Sequence, residues 1–140
     1  MNQDIKVTVD SVVFRSHPGN KFSVLLIKRK NPPFKNKWAL PGGFVENHEE
    51  IKNAAQRELK EETGIKTDQL KQFYTFGTPD RDPRSRTISI AHYCILDSGN
   101  NDIPKADSDA NKASWFKLDD LPELAFDHQE ILKLAISKIR

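Results

Sequence analysis

Between Asn47 and Gly64 the chain can follow only one regular path. Ile51, Ala55 and Leu59 recur at four-residue intervals, the period of a helix. Asn47 stands where an N-cap belongs, Glu50 three residues on completes a variant capping box, and Gly64 offers the left-handed residue that ends a helix. The apolar stripe is narrow and the remaining faces are charged, so this helix must lie against something else. The flanking segments supply it. Val7 to Phe14 and the more buried Phe22 to Ile27 read as strands, as do Phe73 to Phe76, Thr87 to Leu96 and the short Ala113 to Leu118. His17 to Asn20 forms a turn, and the paired prolines of Asn31-Pro32-Pro33-Phe34 exclude helix and favour an ordered loop. Gly77 to Ser85 and Asp97 to Asp109 are polar loops. Glu130 to Ile139 closes the chain as a second amphipathic helix.

The first helix carries an arrangement that is costly for a purely structural element. Glu58, Glu61 and Glu62 stand at i, i+3 and i+4, which gathers three carboxylates along one side. Like charges at that spacing repel, and a sequence shaped only for helix stability would alternate them with lysines. A cation offsets the repulsion. Magnesium suits such a site because it takes hard oxygen ligands and keeps several waters, leaving positions open for substrate phosphates. Glu46 and Glu49, just before the helix, offer further oxygens. A solvated acidic face is the competing reading of these glutamates taken alone.

Composition removes several other classes. The chain has 140 residues, the size of one domain, with 36% hydrophobic and 30% charged residues, which excludes disorder. A net charge of +2 is too small a bias for coating a nucleic acid. No apolar run approaches the roughly 20 residues of a spanning helix, and Met1-Asn2-Gln3-Asp4 opens no secretory signal. The expectations are a cytoplasmic protein with neither membrane nor nucleic-acid partners. Cys94, the only cysteine, rules out an intramolecular disulfide and a multi-cysteine zinc site.

Gly43, Glu49, Arg57, Glu58, Leu59, Glu61, Glu62, Gly64 and Ile65 together match the Nudix box, GX5EX7REUXEEXGU with U aliphatic, at every fixed position. Residues 1–140 therefore resemble a single Nudix hydrolase domain. The resemblance implies an α/β (α+β) fold: an α/β/α sandwich with a mixed β-sheet, in which the box forms a catalytic loop-helix-loop. It also implies Glu58 and Glu62 as main metal ligands, assisted by Glu61 and the Gly43 carbonyl. Arg57 would orient a carboxylate, and Glu58, Glu61 and Arg57 would form the catalytic group. The helical period agrees for Glu58 and Glu62 and is neutral on Glu61, which sits about 60° further round. The implied cofactor is Mg2+, with Mn2+ as a substitute. A carboxylate would take the proton of the attacking water. Family members use either a box glutamate or an acid on a downstream loop, where this chain offers Asp97, Asp102, Asp107 and Asp109, while Lys112 occupies a place that is often glutamate in relatives. A second departure is His48, where relatives usually have glycine; it is read as an exposed turn residue.

Gly77 to Ser89 and Leu124 to Leu132 also resemble the ADP-ribose pyrophosphatase branch of the family. That likeness implies a small nucleotide diphosphate as substrate, with ADP-ribose cleaved to AMP and ribose 5-phosphate. Arg81, Arg84 and Arg86 are the candidate phosphate-holding residues, because a guanidinium binds phosphate oxygens in a bidentate manner. Trp38, Phe34 and Phe126 are the candidates for stacking on adenine, with packed core as the competing reading of each. The box itself specifies metal and phosphate chemistry and not the base, so a nucleoside triphosphate pyrophosphohydrolase is the alternative enzyme. A non-hydrolytic ADP-ribose sensor is the alternative of another class. Against it stand the intact box glutamates and the expectation that no winged helix follows Arg140. A homodimer is a further expectation, dimers being common in the family.

Overall fold

Burial on both sides of one long strand organises the molecule. In the computed structural model, which describes residues 1–97 and 110–140, β1 (Lys6–His17) is buried continuously from Thr8 to Phe14. Side chains alternate along a strand, so Val9 and Val13 face one way while Val12 and Phe14 face the other. The first pair joins a core with α1 (Ile51–Thr63), through Ala54, Ala55 and Leu59. The second pair joins a core with α2 (His128–Ile139), through Ile131, Leu132 and Ala135. Helix, sheet and helix thus form the expected layers, and each fully buried Val, Leu or Ile contributes about 1.5–3 kcal/mol. Asp10 and Ser89 fall on the α2 side by the same alternation, which places polar groups inside an apolar layer.

The sheet is mixed. β6 (Thr87–Leu96) runs parallel to β1 along its length, from Lys6 opposite Thr87 to Arg15 opposite Leu96, and β5 (Lys71–Phe76) lies antiparallel beyond it. On the other edge of β1, β4 (Gly42–Phe44) pairs with Thr8 to Asp10 and β2 (Lys21–Arg29) pairs with Phe14 to His17. β2 in turn holds β3 (Trp38–Ala39) and β7 (Ala110–Lys117). Among the described residues, no helix is long and apolar enough to cross a membrane.

One local expectation needs correction. Asn47 does not cap α1. The helix begins at Ile51 with Glu50 at the cap position and no side-chain cap bond, because Glu49 supplies the local closure instead: its Oε1 accepts the Glu46 N–H at 3.1 Å while its own N–H donates to the Glu46 carbonyl at 3.2 Å. Trp38–Ala39 forms β3 and Gly42–Phe44 forms β4. At two and three residues they are too short for periodicity to reveal, and only their partners on β2 and β1 make them strands. Gly64 caps the helix as expected, at φ 76° with its N–H donating to the Lys60 carbonyl.

The double glycine is required by close approach. A Cβ on Gly42 would lie 2.1 Å from the Val9 carbonyl oxygen, whereas one on Gly43 would lie 2.5–2.6 Å from the Glu58 carboxylate, the movable end of a side chain. Gly42→Ala is therefore expected to destabilise by about 3 kcal/mol through overpacking against backbone, with Gly43→Ala costing clearly less. Urea denaturation of both variants checks the order, and equal losses would contradict it.

Candidate active site

A pocket of about 460 Å³ opens where β1, β4, α1, the 77–86 loop and the start of α2 converge. One wall is α1. Glu58, Glu61 and Glu62 all line it, so the three carboxylates gathered by helical spacing do face a common cavity. Arg57 organises their approach. Its guanidinium donates to both oxygens of Glu49 at 2.7 and 3.0 Å, to Glu58 Oε1 at 2.7 Å, to Glu61 Oε2 at 3.3 Å and to the Phe44 carbonyl at 3.1 Å. The helix is thereby tied to the segment before it, and the Arg57 bond holds the Glu49 carboxyl below the usual carboxylate range.

Glu62 lies deepest. It is 7% exposed, and its Oε1 accepts the Gly42 N–H at 2.7 Å, which bonds helix to sheet across the pocket floor. Burial raises its carboxyl well above the usual range; the Gly42 N–H opposes the shift, and Glu58 and Asp10 reinforce it. Burial also raises Glu58, against the opposing bond from Arg57. Beside Gly43, on β4, the Glu58 carboxylate fills the space that a Cβ would take.

The opposite wall comes from the 77–86 loop and α2. Arg81 and Arg84 line the pocket, but each is gripped by an aspartate: Arg81 donates to both oxygens of Asp127 at 2.8 and 2.6 Å, and Arg84 to both oxygens of Asp82 at 3.0 and 2.7 Å. Burial would raise the Asp82 carboxyl, yet the Arg84 bonds outweigh it and hold it low. Phe126 also lines the pocket, with the guanidinium of Arg29 4.9 Å and that of Arg84 5.3 Å from its ring centre. Its φ of 53° is the left-handed region that a bulky residue rarely adopts, so the loop holds this ring in place at a cost in backbone strain.

Other residues singled out in the sequence lie elsewhere. Arg86 is exposed and donates to the Gly77 carbonyl at 2.8 Å, outside the pocket lining. Trp38 packs edge-on to Phe116 at 4.7 Å, with Lys112 over its ring, and also lies outside the lining, as does Phe34, whose ring meets Phe126 at 4.8 Å. His48 is exposed. Asp97 directly follows β6 and is not among the pocket-lining residues, and Asp102, Asp107 and Asp109 lie outside the described residues. Conversely, Asp10, Arg29, Asp82 and His128 line the pocket without having been singled out. Asp10 alone left a clear signal, a charged residue inside the apolar run Val9 to Phe14.

The donor set fits a hard divalent cation. Glu58 and Glu62 present oxygen only, both resist ionisation because they are buried, and their bonds to Arg57 and Gly42 run through one oxygen each. No group of three or more His, Cys, Asp or Glu side chains among the described residues is already gathered into a metal cage. The glutamate side chains would have to close on the ion, with Gly43 contributing at most its carbonyl.

The sequence profile of the NUDIX domain matches residues 4–135. The chain belongs to the Nudix family. Over 127 residues it is 46% identical to the ADP-ribose pyrophosphatase of Methanocaldococcus jannaschii, covering 91% of this chain and 70% of that protein. Over 137 residues it is 32% identical to the ADPR-responsive transcriptional repressor NtrR of Acinetobacter baylyi, covering 95% of this chain and about half, 54%, of the repressor. The crystal structure of the Nudix domain of Shewanella oneidensis NrtR complexed with ADP-ribose superposes with a TM-score of 0.90 at 27% identity, over 99% of this chain and 91% of that one. The mixed sheet between two helices is thus the Nudix architecture, and the chain is a Nudix pyrophosphohydrolase.

The charge on Glu62 has a consequence for stability. A carboxyl raised on folding favours the protonated form, so its ionisation opposes folding as pH rises from the ordinary glutamate range through the raised value. Glu62→Gln keeps an acceptor for the Gly42 N–H and removes that charge. In chelator-containing buffer the variant is expected to melt roughly 2–4 °C above the parent at neutral pH, with the gap closing below about pH 4. A variant melting below the parent at pH 7 would show that the ionised carboxylate is net stabilising.

Proposed function

We propose that this Nudix protein hydrolyses ADP-ribose to AMP and ribose 5-phosphate with Mg2+ as cofactor, Mn2+ being able to replace it. The observation that carries the reading is the shared pocket, in which the box acids Glu58 and Glu62 face Arg84 and Phe126 of the segments likened to the ADP-ribose pyrophosphatase branch. The 46% identity to an archaeal enzyme of that activity supports the choice of substrate.

In this reading Glu58, Glu62 and Glu61 hold the metal, with the Gly43 carbonyl beside them. Bound there, a divalent ion supplies neutralisation of phosphate oxygens and a lowered pKa for the attacking water. Arg57 sets the positions of Glu58 and Glu61. The water oxygen joins one phosphorus, the bridging oxygen leaves with the other phosphate, and the water's proton passes to a carboxylate. Glu61 is the candidate acceptor, with its side chain 46% exposed at the pocket mouth. Arg84 and Arg81 border the diphosphate. Phe126 replaces Trp38 as the ring offered to adenine.

Glu58→Gln and Glu62→Gln are each expected to lower kcat/KM for ADP-ribose roughly a hundredfold or more. Chromatography of the products decides between readings. AMP with ribose 5-phosphate supports the proposal, whereas nucleoside monophosphate with pyrophosphate from a triphosphate supports the housecleaning alternative. Tight binding of ADP-ribose in magnesium without turnover would favour the sensor reading, to which the likeness to NtrR points.

A further inference from the structure

Beneath Phe126 the pocket floor holds a polar pair that the metal and phosphate chemistry does not use. Asp10 and His128, 6% and 5% exposed, both line the cavity. The Leu40 N–H donates to His128 Nδ1 at 3.0 Å, so that nitrogen carries no proton. Burial lowers the pKa of the ring, against the pull of Asp10 and Asp127, which keeps it neutral. Its one proton therefore sits on Nε2, 3.4 Å from Asp10 Oδ1. Asp10 is oriented from behind, since its Oδ2 accepts the Ser89 hydroxyl at 2.5 Å. Arg81 Nη2 stands 4.0 Å from Oδ2 but spends its bidentate grip on Asp127.

We propose that Asp10 Oδ1 and His128 Nε2–H together bind a ribose hydroxyl of the substrate. The proposal rests on the ADP-ribose reading and adds a specificity contact to it. A hydroxyl donates and accepts at once, matching an adjacent carboxylate oxygen and imidazole N–H. A phosphate oxygen only accepts. Beside this pair it would meet the Asp10 carboxylate, while Arg81, 4.0 Å from Asp10, is already engaged by Asp127. The floor is therefore complementary to a sugar and hostile to an additional phosphate. ADP-ribose carries two riboses of the same chemistry, and the experiment separates them.

Asp10→Asn and His128→Asn are compared with the parent on three substrates: ADP-ribose, the adenosine diphosphate methyl ester that lacks the second ribose, and the 2′,3′-dideoxyadenosine form of ADP-ribose. Both variants are expected to lose kcat/KM on ADP-ribose, mainly through KM, by at least about tenfold more than on one of the truncated substrates. The substrate on which the extra loss disappears identifies the ribose. Equal losses on all three would overturn the proposal and assign the residues to support of Glu62 or of the fold. No loss on ADP-ribose would overturn it as well. Thermal melting establishes that each variant is folded, and Ser89→Ala, which loosens Asp10 without removing it, is expected to give the same pattern with a smaller loss. A parent that cleaves a triphosphate and not ADP-ribose defeats the substrate reading alone. The same comparison on that triphosphate and its dideoxy form then tests the pair.

Discussion

The bond from the Gly42 amide to Glu62 Oε1 is the interaction on which the rest of the molecule depends. It joins α1 to β4, which the Arg57 bond to the Phe44 carbonyl also links, and it lies where burial makes an ionised carboxylate expensive. Both glycines of β4 serve it. Gly42 lets the strand approach Val9 closely enough for its N–H to reach Glu62, and Gly43 leaves room for the neighbouring Glu58. Sheet, helix and box acids are in this way positioned by one short segment that has no side chains of its own at the critical points.

A second theme is how three arginines at the pocket are engaged by acids of the chain itself. Arg57 is shared among Glu49, Glu58 and Glu61, Arg81 is held by Asp127, and Arg84 by Asp82. The pocket thus sets arginines whose charge is partly compensated against acids whose ionisation burial resists. The aspartates also give the arginines definite orientations, so that the wall formed by the 77–86 loop and the start of α2 is built before any ligand arrives.

Much of the framework was legible from residue order. The period of Ile51, Ala55 and Leu59, the stop at Gly64 and the strand Thr87 to Leu96 are local signals, and the structure has these elements where the pattern puts them. Local signals failed at β3 and β4, which exist only because β2 and β1 pair with them, and at Asn47, where the carboxylate of Glu49 closed the turn instead. The arginines illustrate the same limit at the pocket. Three of them lie within six residues of loop, and the sequence does not distinguish them. In the fold, Arg81 and Arg84 line the cavity while Arg86 turns outward to the Gly77 carbonyl.

By itself, residue order determined the family, the helix that carries the acids and the side of that helix on which they gather, because helical spacing is set within a few covalent neighbours. Only the tertiary structure decided what those acids face. Asp10 and His128 are 118 positions apart in the chain, and Gly42 and Glu62 are 20 apart. Their meeting depends on how two layers close over β1, and the energy of that closure lies in apolar contacts that no single motif encodes.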